Sequence, residues 1–368
     1  MKRILSFFLA GATLLLFLSC NGVDKLKEQQ EKIVVEKPKK SAKIVMVGDV
    51  IFHKPQINSA RTNKGYDFKP SFSEIKDIIS KADYAVFNFE GNVNTKLPPS
   101  GYPNFNSPIE AIDALKWAGF DAVVLANNHS LDTGLDGLKG TLKNYSLKGI
   151  KSIGAGNQKD RALILDINGI KIGFLAYTQF INGRSSGLGY VNILDLKTIE
   201  KDIKNIKSNC DFCIVYLHYG TEYIRNATVK ERELFRKIAD LGADYIVGNH
   251  PHVVRESEAY KTKDGRWVIF NYSLGNFISN QKDKYTDIGL IVNLTLEKED
   301  KRTYIKDLDL IPVYRLKFYE KGRLHVKTIT LDRLDKYNEK INSEDLKYIL
   351  GVSKEINMKN SIEVSNLK

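Results

Sequence analysis

Six stretches of this sequence hold side chains that bind cations or move protons: Gly48-Asp49, Asn88-Phe89-Glu90-Gly91, Asn127-Asn128-His129, His218-Tyr219-Gly220, Gly248-Asn249-His250-Pro251-His252 and Asn271-Tyr272-Ser273-Leu274-Gly275-Asn276. The chain has six histidines, and five of them (His53, His129, His218, His250, His252) fall in or beside these stretches. One His after a strand is more often a satisfied structural residue than a ligand, but five at equivalent places argue for a shared site. Carboxylate, imidazole and amide oxygen together suit Mn, Fe or Zn better than Ca or Mg. His250 and His252 are the most informative pair. Residues two apart in an extended segment point to one side, and Pro251 biases His250 toward extended backbone, so both imidazoles are expected to face one cavity.

Something must carry these groups to one place. The clusters follow short apolar runs at 44–47, 84–87, 122–125, 212–217, 245–247 and 268–270, which alternate with helical patterns and so predict an α/β architecture. In open α/β sheets ligands bind outside the carboxyl ends of the strands, so six clusters at six strand ends converge on one crevice. Ser107-Pro108-Ile109-Glu110 offers an N-cap, a Pro at the first helical position and a capping-box Glu, and Thr228 with Glu231 repeats the box. Asn168-Gly169 separates two apolar runs within 162–177 and predicts a type I′ hairpin, so not every strand is parallel. After residue 288 come strands at 288–296, 304–318 and 324–331, then a polar, helical tail from about 343. The mixture predicts two sheets sandwiched by helices.

The amino-terminal Lys2-Arg3, the apolar run 4–18 and Ser19-Cys20 match a secretory signal, and the run is too short to span a bilayer comfortably. A Cys directly after such a run resembles a bacterial lipobox, with Phe17-Leu18 in place of the usual Leu-Ala. The expected organisation is a signal peptide over 1–19, a lipidated Cys20 and polar tether over 20–41, one large domain over 42–342 and the tail over 343–368. This places the protein in the cell envelope, membrane-anchored and facing outside the cytoplasm. The formal charge of +12 falls to +10 once Lys2 and Arg3 leave. The lysines are spread along the chain and no nucleic-acid motif is present, which argues against nucleic acid as partner. Cys210-Asp211-Phe212-Cys213 has redox or zinc spacing, but Cys213 opens an apolar run and reads as a small buried hydrophobe.

The stretches GDVIFH, FNFEGNV, LANNHSLDTG, VYLHYGTEY, GNHPHVV and NYSLGNF occur in an order that resembles the CapA family of poly-gamma-glutamate capsule synthesis proteins, a branch similar to the calcineurin-type metallophosphatases. The resemblance covers residues 42–296. It implies a four-layer α-β-β-α sandwich and a site for two divalent cations. Asp49 and His252 would hold the first, Glu90 would bridge, and Asn128, His218 and His250 would complete the second. A bridging carboxylate of this kind holds cations about 3.5–4 Å apart, and such a pair activates water for in-line attack. His129 matches the residue that contacts the scissile phosphate and assists the leaving group. Glu222 would support the metals or face substrate, Asp132 would orient His129 or cap the next helix, and Asn276 lies in the family's Ser-Leu-Gly-Asn-Phe turn. Two positions depart from the phosphatase pattern. Ile51 stands where a His is expected, leaving His53 as either a metal contact or a surface or substrate contact, and Glu90 replaces the usual Asp.

Two functional classes follow from the resemblance. One is a metal-dependent hydrolase of an anionic ester, amide or polymer. The other is a non-catalytic accessory that binds the polymer or a capsule-synthesis membrane partner, which a basic exterior suits.

Overall fold

The computed structural model describes residues 39–157, 161–183 and 186–367. The expected signal segment, Cys20 and nearly all of the tether lie outside them. The chain begins with β1 (Lys40–Val50), α1 (Lys54–Ser59), β2 (Arg61–Thr62), β3 (Gly65–Tyr66), α2 (Lys76–Ile79), β4 (Tyr84–Phe89), α3 (Glu110–Ala118), β5 (Ala122–Val124), α4 (Gly134–Leu147) and β6 (Lys151–Ile153). It continues with β7 (Leu163–Ile167), β8 (Ile170–Thr178), α5 (Leu196–Lys207), β9 (Phe212–His218), α6 (Val229–Asp240), β10 (Tyr245–Asn249), β11 (Ser257–Lys261) and β12 (Trp267–Asn271). It closes with β13 (Asn276–Ile278), β14 (Ile288–Glu299), β15 (Arg302–Glu320), β16 (Arg323–Thr330) and α7 (Ser343–Lys359).

Two large mixed sheets result. The first runs β16-β15-β14-β1-β4-β5-β6 with β13 beside β1, and the second runs β11-β12-β10-β9-β8-β7. Strands β1, β4, β5 and β6 are mutually parallel, as are β8, β9, β10 and β12. Their near-continuous apolar character follows from cover on both faces. In the second sheet the strand period of two sorts side chains cleanly. Phe212, Ile214, Tyr216, Tyr245 and Val247 join the core between the sheets, while Cys213, Val215, Leu217 and Ile246 pack with Ile199 and Ile203 of α5 and Phe235 and Ile238 of α6. Residues from α3 and α4, including Leu115 and Tyr145, pack with the first sheet, where Tyr145 meets Phe87 and Phe89. The layers are therefore α-β-β-α, as the sequence predicts.

The Asn168-Gly169 hairpin forms with φ of 53° and 82°, the positive values a type I′ turn needs. The Thr228–Glu231 capping box also forms. Ser107 differs from expectation: α3 starts at Glu110, entered through short turns in which Ala111 N donates to Pro108 O and Ile112 N to Ile109 O. Ser107 N instead donates to Asn92 O (2.8 Å), so this residue ties down the preceding loop. Residues 40–368 form one compact unit, and the segment from 343 forms α7, which buries Ile349, Val352 and Ile356. Cys210 and Cys213 are unpaired, and burial pushes the Cys210 thiol up to about 11, so neither behaves as a redox thiolate.

Two glycines let the site strands cross neighbouring backbone. A Cβ on Gly48 would lie 1.9 Å from Gly275 O, and one on Gly248 would lie 2.2 Å from Tyr272 O. The same close approaches allow Asp49 N to donate to Gly275 O and Leu274 N to Gly248 O, both at 3.0 Å. Gly48→Ala is expected to cost about 1–3 kcal/mol or more of folding stability, because the obstructing atom is backbone and cannot swing aside. Urea unfolding measures this, and a loss below about 0.5 kcal/mol, the ordinary surface range, would show that the crossing yields.

Candidate metal centre

The carboxylate of Asp49, at the end of β1, is fully buried where the two sheets meet. Its Oδ1 accepts from Asn88 Nδ2 (2.8 Å) at the end of β4 and from Asn249 Nδ2 (2.9 Å) at the end of β10. Its Oδ2 faces His250 N (3.3 Å) and His252 Nδ1 (3.2 Å). His252 Nδ1 also lies 3.1 Å from Asn276 Oδ1, whose Nδ2 donates to Thr286 O and Gln281 Oε1. The expected extended geometry of the histidine pair does not form. His250 and His252 take φ of 95° and 59°, and this turn, not an extended segment, brings their rings to 6.0 Å apart.

Glu90 is the least satisfied group of the site. Both carboxylate oxygens are buried without a hydrogen-bond partner. Oε1 lies 3.7 Å from His218 Nε2 and 3.9 Å from His252 Nδ1, so this carboxylate stands between two imidazole groups. Burial, followed by repulsion from Asp49, holds its carboxyl well above the ordinary range. His218, at the end of β9, lies 2.9 Å from Asn128 Oδ1 and stacks obliquely near His250 (4.8 Å). Burial and the neighbouring His250 hold His218 well below its ordinary value, and burial with His252 lowers His250 to about 4. These imidazoles are neutral at pH 7, with lone pairs available, and His250 Nδ1 has no partner. Carboxylate oxygens without a protein partner beside neutral imidazoles form a donor set suited to a divalent cation. Asp49, Glu90 and His218 offer ligand atoms within 4.8 Å of one another, as do Glu222, His250 and His252. The residues present therefore fit divalent metal.

His129 follows Asn128 in the turn after β5 and is buried. Its Nδ1 lies 2.8 Å from Asp132 Oδ2, which also accepts from Phe105 N (2.6 Å). An oxygen already accepting from a backbone N–H assigns the imidazole proton to Nδ1, leaving Nε2 toward Asn182 Nδ2 (3.4 Å). The Asp132 side chain thus orients His129, and α4 begins after Thr133 without a side-chain cap.

The remaining expected residues sit farther out. Glu222 Oε1 is 3.9 Å from His252 Nε2 on a side chain 40% exposed. His53 lies outside both carboxylate–imidazole groups: its Nδ1 accepts from Asn280 N (3.2 Å) and its ring meets Phe105 edge-on. Ile51 is buried, with its N–H donating to Ile278 O. Sequence reasoning missed the amide frame of Asn88, Asn127 and Asn249, although each lies one or two residues before a proposed ligand. It also missed Phe180 and Asn182, which follow β8 and reach His250 and His129. Their signal was a polar loop after an apolar run that was read only as one arm of a hairpin.

Two mixed sheets between helix layers, with a carboxylate–imidazole cluster at the strand ends, define an α-β-β-α sandwich with a candidate metal site. The family profile described as "Bacterial capsule synthesis protein PGA_cap" matches residues 43–281, and the chain belongs to this family. It is 31% identical over 304 residues to the capsule biosynthesis protein CapA of Bacillus anthracis, covering 78% of this chain and 71% of that protein. It is 30% identical over 270 residues to the PGA biosynthesis protein CapA of Bacillus subtilis (strain 168), covering 68% and 67%. Among solved structures, the calcineurin-like phosphoesterase YfkN from Bacillus subtilis matches with a TM-score of 0.46 at 16% identity, covering 86% of this chain and 98% of that one. A phosphatase from Mycoplasma pneumoniae matches with a TM-score of 0.47 at 16% identity, covering 75% and 95%.

The folded chain holds the Glu90 proton to higher pH than the unfolded chain, which releases it near the ordinary 4.5. The metal-free fold is therefore most favoured below that pH and loses stability as pH rises toward the raised value, by up to about 1.4 kcal/mol per pH unit. Glu90→Gln removes this loss. The difference in unfolding free energy between chelator-treated variant and wild type is expected to grow as pH rises above about 4.5, and added Mn²⁺ should stabilise wild type more than the variant. A difference that does not change with pH would sink this account of Glu90.

Proposed function

We propose that the protein is a metal-dependent hydrolase of an anionic ester, amide or polymer linkage in poly-gamma-glutamate capsule biosynthesis, using two divalent cations drawn from Mn, Fe or Zn. In this reading it is anchored through a lipid on Cys20 and faces outside the cytoplasm, in the cell envelope with capsule-synthesis membrane partners. The observation that carries the reading is Glu90: a buried carboxylate with no partner, standing between His218 and His252.

Asp49, His252 and the Glu90 carboxylate would hold one cation, and Glu90, Asn128, His218 and His250 the other. Bound cations would supply Lewis-acid polarisation of the anionic substrate and activation of water. The chain does the rest. Asn88 and Asn249 hold Asp49 Oδ1 and turn Oδ2 inward. Asp132 fixes His129 with Nδ1 protonated, so that Nε2 is the atom that exchanges a proton with the leaving group. Phe105 lies against the His129 ring (4.7 Å) and excludes water from that side. Asn128 contributes a neutral oxygen, which keeps the centre electrophilic.

The formal charge of +12 supports a second reading, a non-catalytic component that holds the polyanion. Salt-sensitive polymer binding that survives His129→Ala, without turnover in wild type, would favour it.

The hydrolase reading predicts that Mn²⁺-loaded protein cleaves a phosphoester or γ-glutamyl substrate and that chelation abolishes turnover. His129→Ala should lower kcat by about 10²–10⁴ with metal content unchanged, whereas Asp49→Ala should lose metal as well. Assays of turnover beside elemental analysis separate these outcomes, and wild type loaded with Mn²⁺ that cleaves neither substrate class ends the proposal.

A further inference from the structure

Two arginines among the described residues are buried, and they are satisfied very differently. Arg255, 1% exposed, has all three faces of its guanidinium engaged: Nη1 with Glu231 Oε1 (2.7 Å), Nε with Ile224 O (2.7 Å) and Nη2 with Thr221 O (2.8 Å). Arg315, in β15, is 9% exposed, yet its Nε has no hydrogen-bond partner and no ion pair joins it to a carboxylate among the described residues. Asp287 is the acidic group that acts on it, but Asp287 Oδ1 accepts from the Tyr348 hydroxyl (2.9 Å). A buried guanidinium with an unpartnered Nε, whose nearby acid is hydrogen-bonded elsewhere and makes no ion pair with it, is costly to keep, and an anion from outside the chain would satisfy it.

Its position says which anion. Strand alternation puts Arg315 on the face of Val313, which belongs to the core between the sheets, while Tyr314, Leu316 and Phe318 on the other face pack beside Ile349 of α7. Its register partner, Thr328, donates to Phe277 O (2.7 Å) in β13. The Arg315 N–H donates to Asp287 O (2.7 Å), and the adjacent Thr286 O accepts from Asn276 Nδ2 (3.0 Å). Asn276 is the residue whose Oδ1 meets His252. Short links therefore tie Arg315 to the wall of the metal centre. His53 Nδ1 accepts from Asn280 N (3.2 Å), and Asn280 Oδ1 is buried and partnerless. Lys317, two residues along the same strand face, is depressed by burial and then by the charges of Arg315 and Lys282. Arg315 and Lys317 thus lie on one strand face, and among the described residues no carboxylate is ion-paired to Arg315.

We propose that Arg315, backed by Lys317 on the same strand face, is an oxyanion receptor for a second anionic group of the substrate, a carboxylate or phosphate carried by the molecule whose first anionic group faces the metal centre. The guanidinium fork matches either oxyanion through two parallel hydrogen bonds. The substrate class is then a molecule with at least two separated anionic groups, as in an acidic polymer, and a simple monoanionic ester would fill only half the site. The link to a reacting group rests on the metal-dependent reading above, but the receptor does not.

The test uses the chelator-treated full chain, so that no anion is held by metal. Wild type, Arg315→Gln and Arg315→Lys are titrated with inorganic phosphate and, separately, with glutarate, by calorimetry and thermal unfolding. Without anion, Arg315→Gln is expected to melt at or above the wild-type temperature, because it removes a buried charge that no ion pair holds. With anion, wild type should gain stability and bind at least tenfold more tightly than Arg315→Gln, with Arg315→Lys between them. Response to phosphate, to glutarate or to both supports the receptor and identifies the anion. Wild type that responds to neither overturns it, as does an Arg315→Gln variant that melts below wild type without anion. Mn²⁺ uptake by Arg315→Gln at the wild-type level separates this inference from the hydrolase reading: an anion response without turnover removes the second and leaves the first.

Discussion

The carboxylate of Asp49 is the point on which both sheets close. Asn88 reaches it from the first sheet, and Asn249, His250 and His252 reach it from the second, so one side chain accepts or faces groups from four residues on two segments. Its burial explains why the strand ends on either side are so tightly determined. Gly48 and Gly248 must lack side chains for the neighbouring backbones to cross where Asp49 can be reached. A carboxylate buried in this way is stable only with its hydrogen bonds complete or a cation close by. Oδ1 is completed by amides; Oδ2 is left facing imidazole and, beyond it, Glu90.

The same requirement accounts for backbone that would otherwise be unfavourable. A non-glycine residue at φ of 95° is an outlier, and it occurs at His250, whose N–H points at Asp49 Oδ2. His252 follows at 59° and turns its Nδ1 to the same oxygen. The strain buys a convergence that an extended His-Pro-His could not reach, in which the peptide N–H and a ring nitrogen meet one carboxylate. Glu90 adds a second unfavourable term beside it. Together these costs mark a site held in readiness by the surrounding core, with stabilisation deferred to whatever cation enters.

Much of this was legible in the sequence, for physical reasons that differ by element. Parallel strands covered on both faces must be continuous apolar runs, so β1, β4, β5, β9, β10 and β12 could be read directly, and their polar ends pointed to one crevice. The Asn168-Gly169 turn and the Thr228–Glu231 box are local chemistry and formed as read. What failed was geometry set by tertiary contacts. The turn at His250 is dictated by Asp49, two hundred positions away in the chain, and local Pro bias lost to it. Ser107 gave its backbone N–H to Asn92 because the loop before α3 had to close over the site. Asn88 and Asn249 were invisible as orienting groups because an amide has no distinctive signature until its partner is known. Arg315 was likewise unreadable, since a lone Arg in a strand looks solvated until burial is seen. The signal segment and Cys20 lie outside the described residues.

The departure at Ile51 acquires a physical meaning once the strand is in place. Ile51 is buried with its N–H bonded to β13, so this position serves the core and offers nothing to the centre. His53, two residues on at the start of α1, is held by Asn280. In the two-cation reading the Asp49 side of the site therefore has one imidazole, His252, beside oxygen donors, while the Glu90 side has two, His218 and His250. Unequal donor sets give unequal affinity, with the nitrogen-richer position favouring softer divalent ions and the oxygen-richer one binding more weakly and exchanging more readily. In that reading Ile51 leaves the Asp49 side with fewer nitrogen donors, so the two positions would differ in affinity.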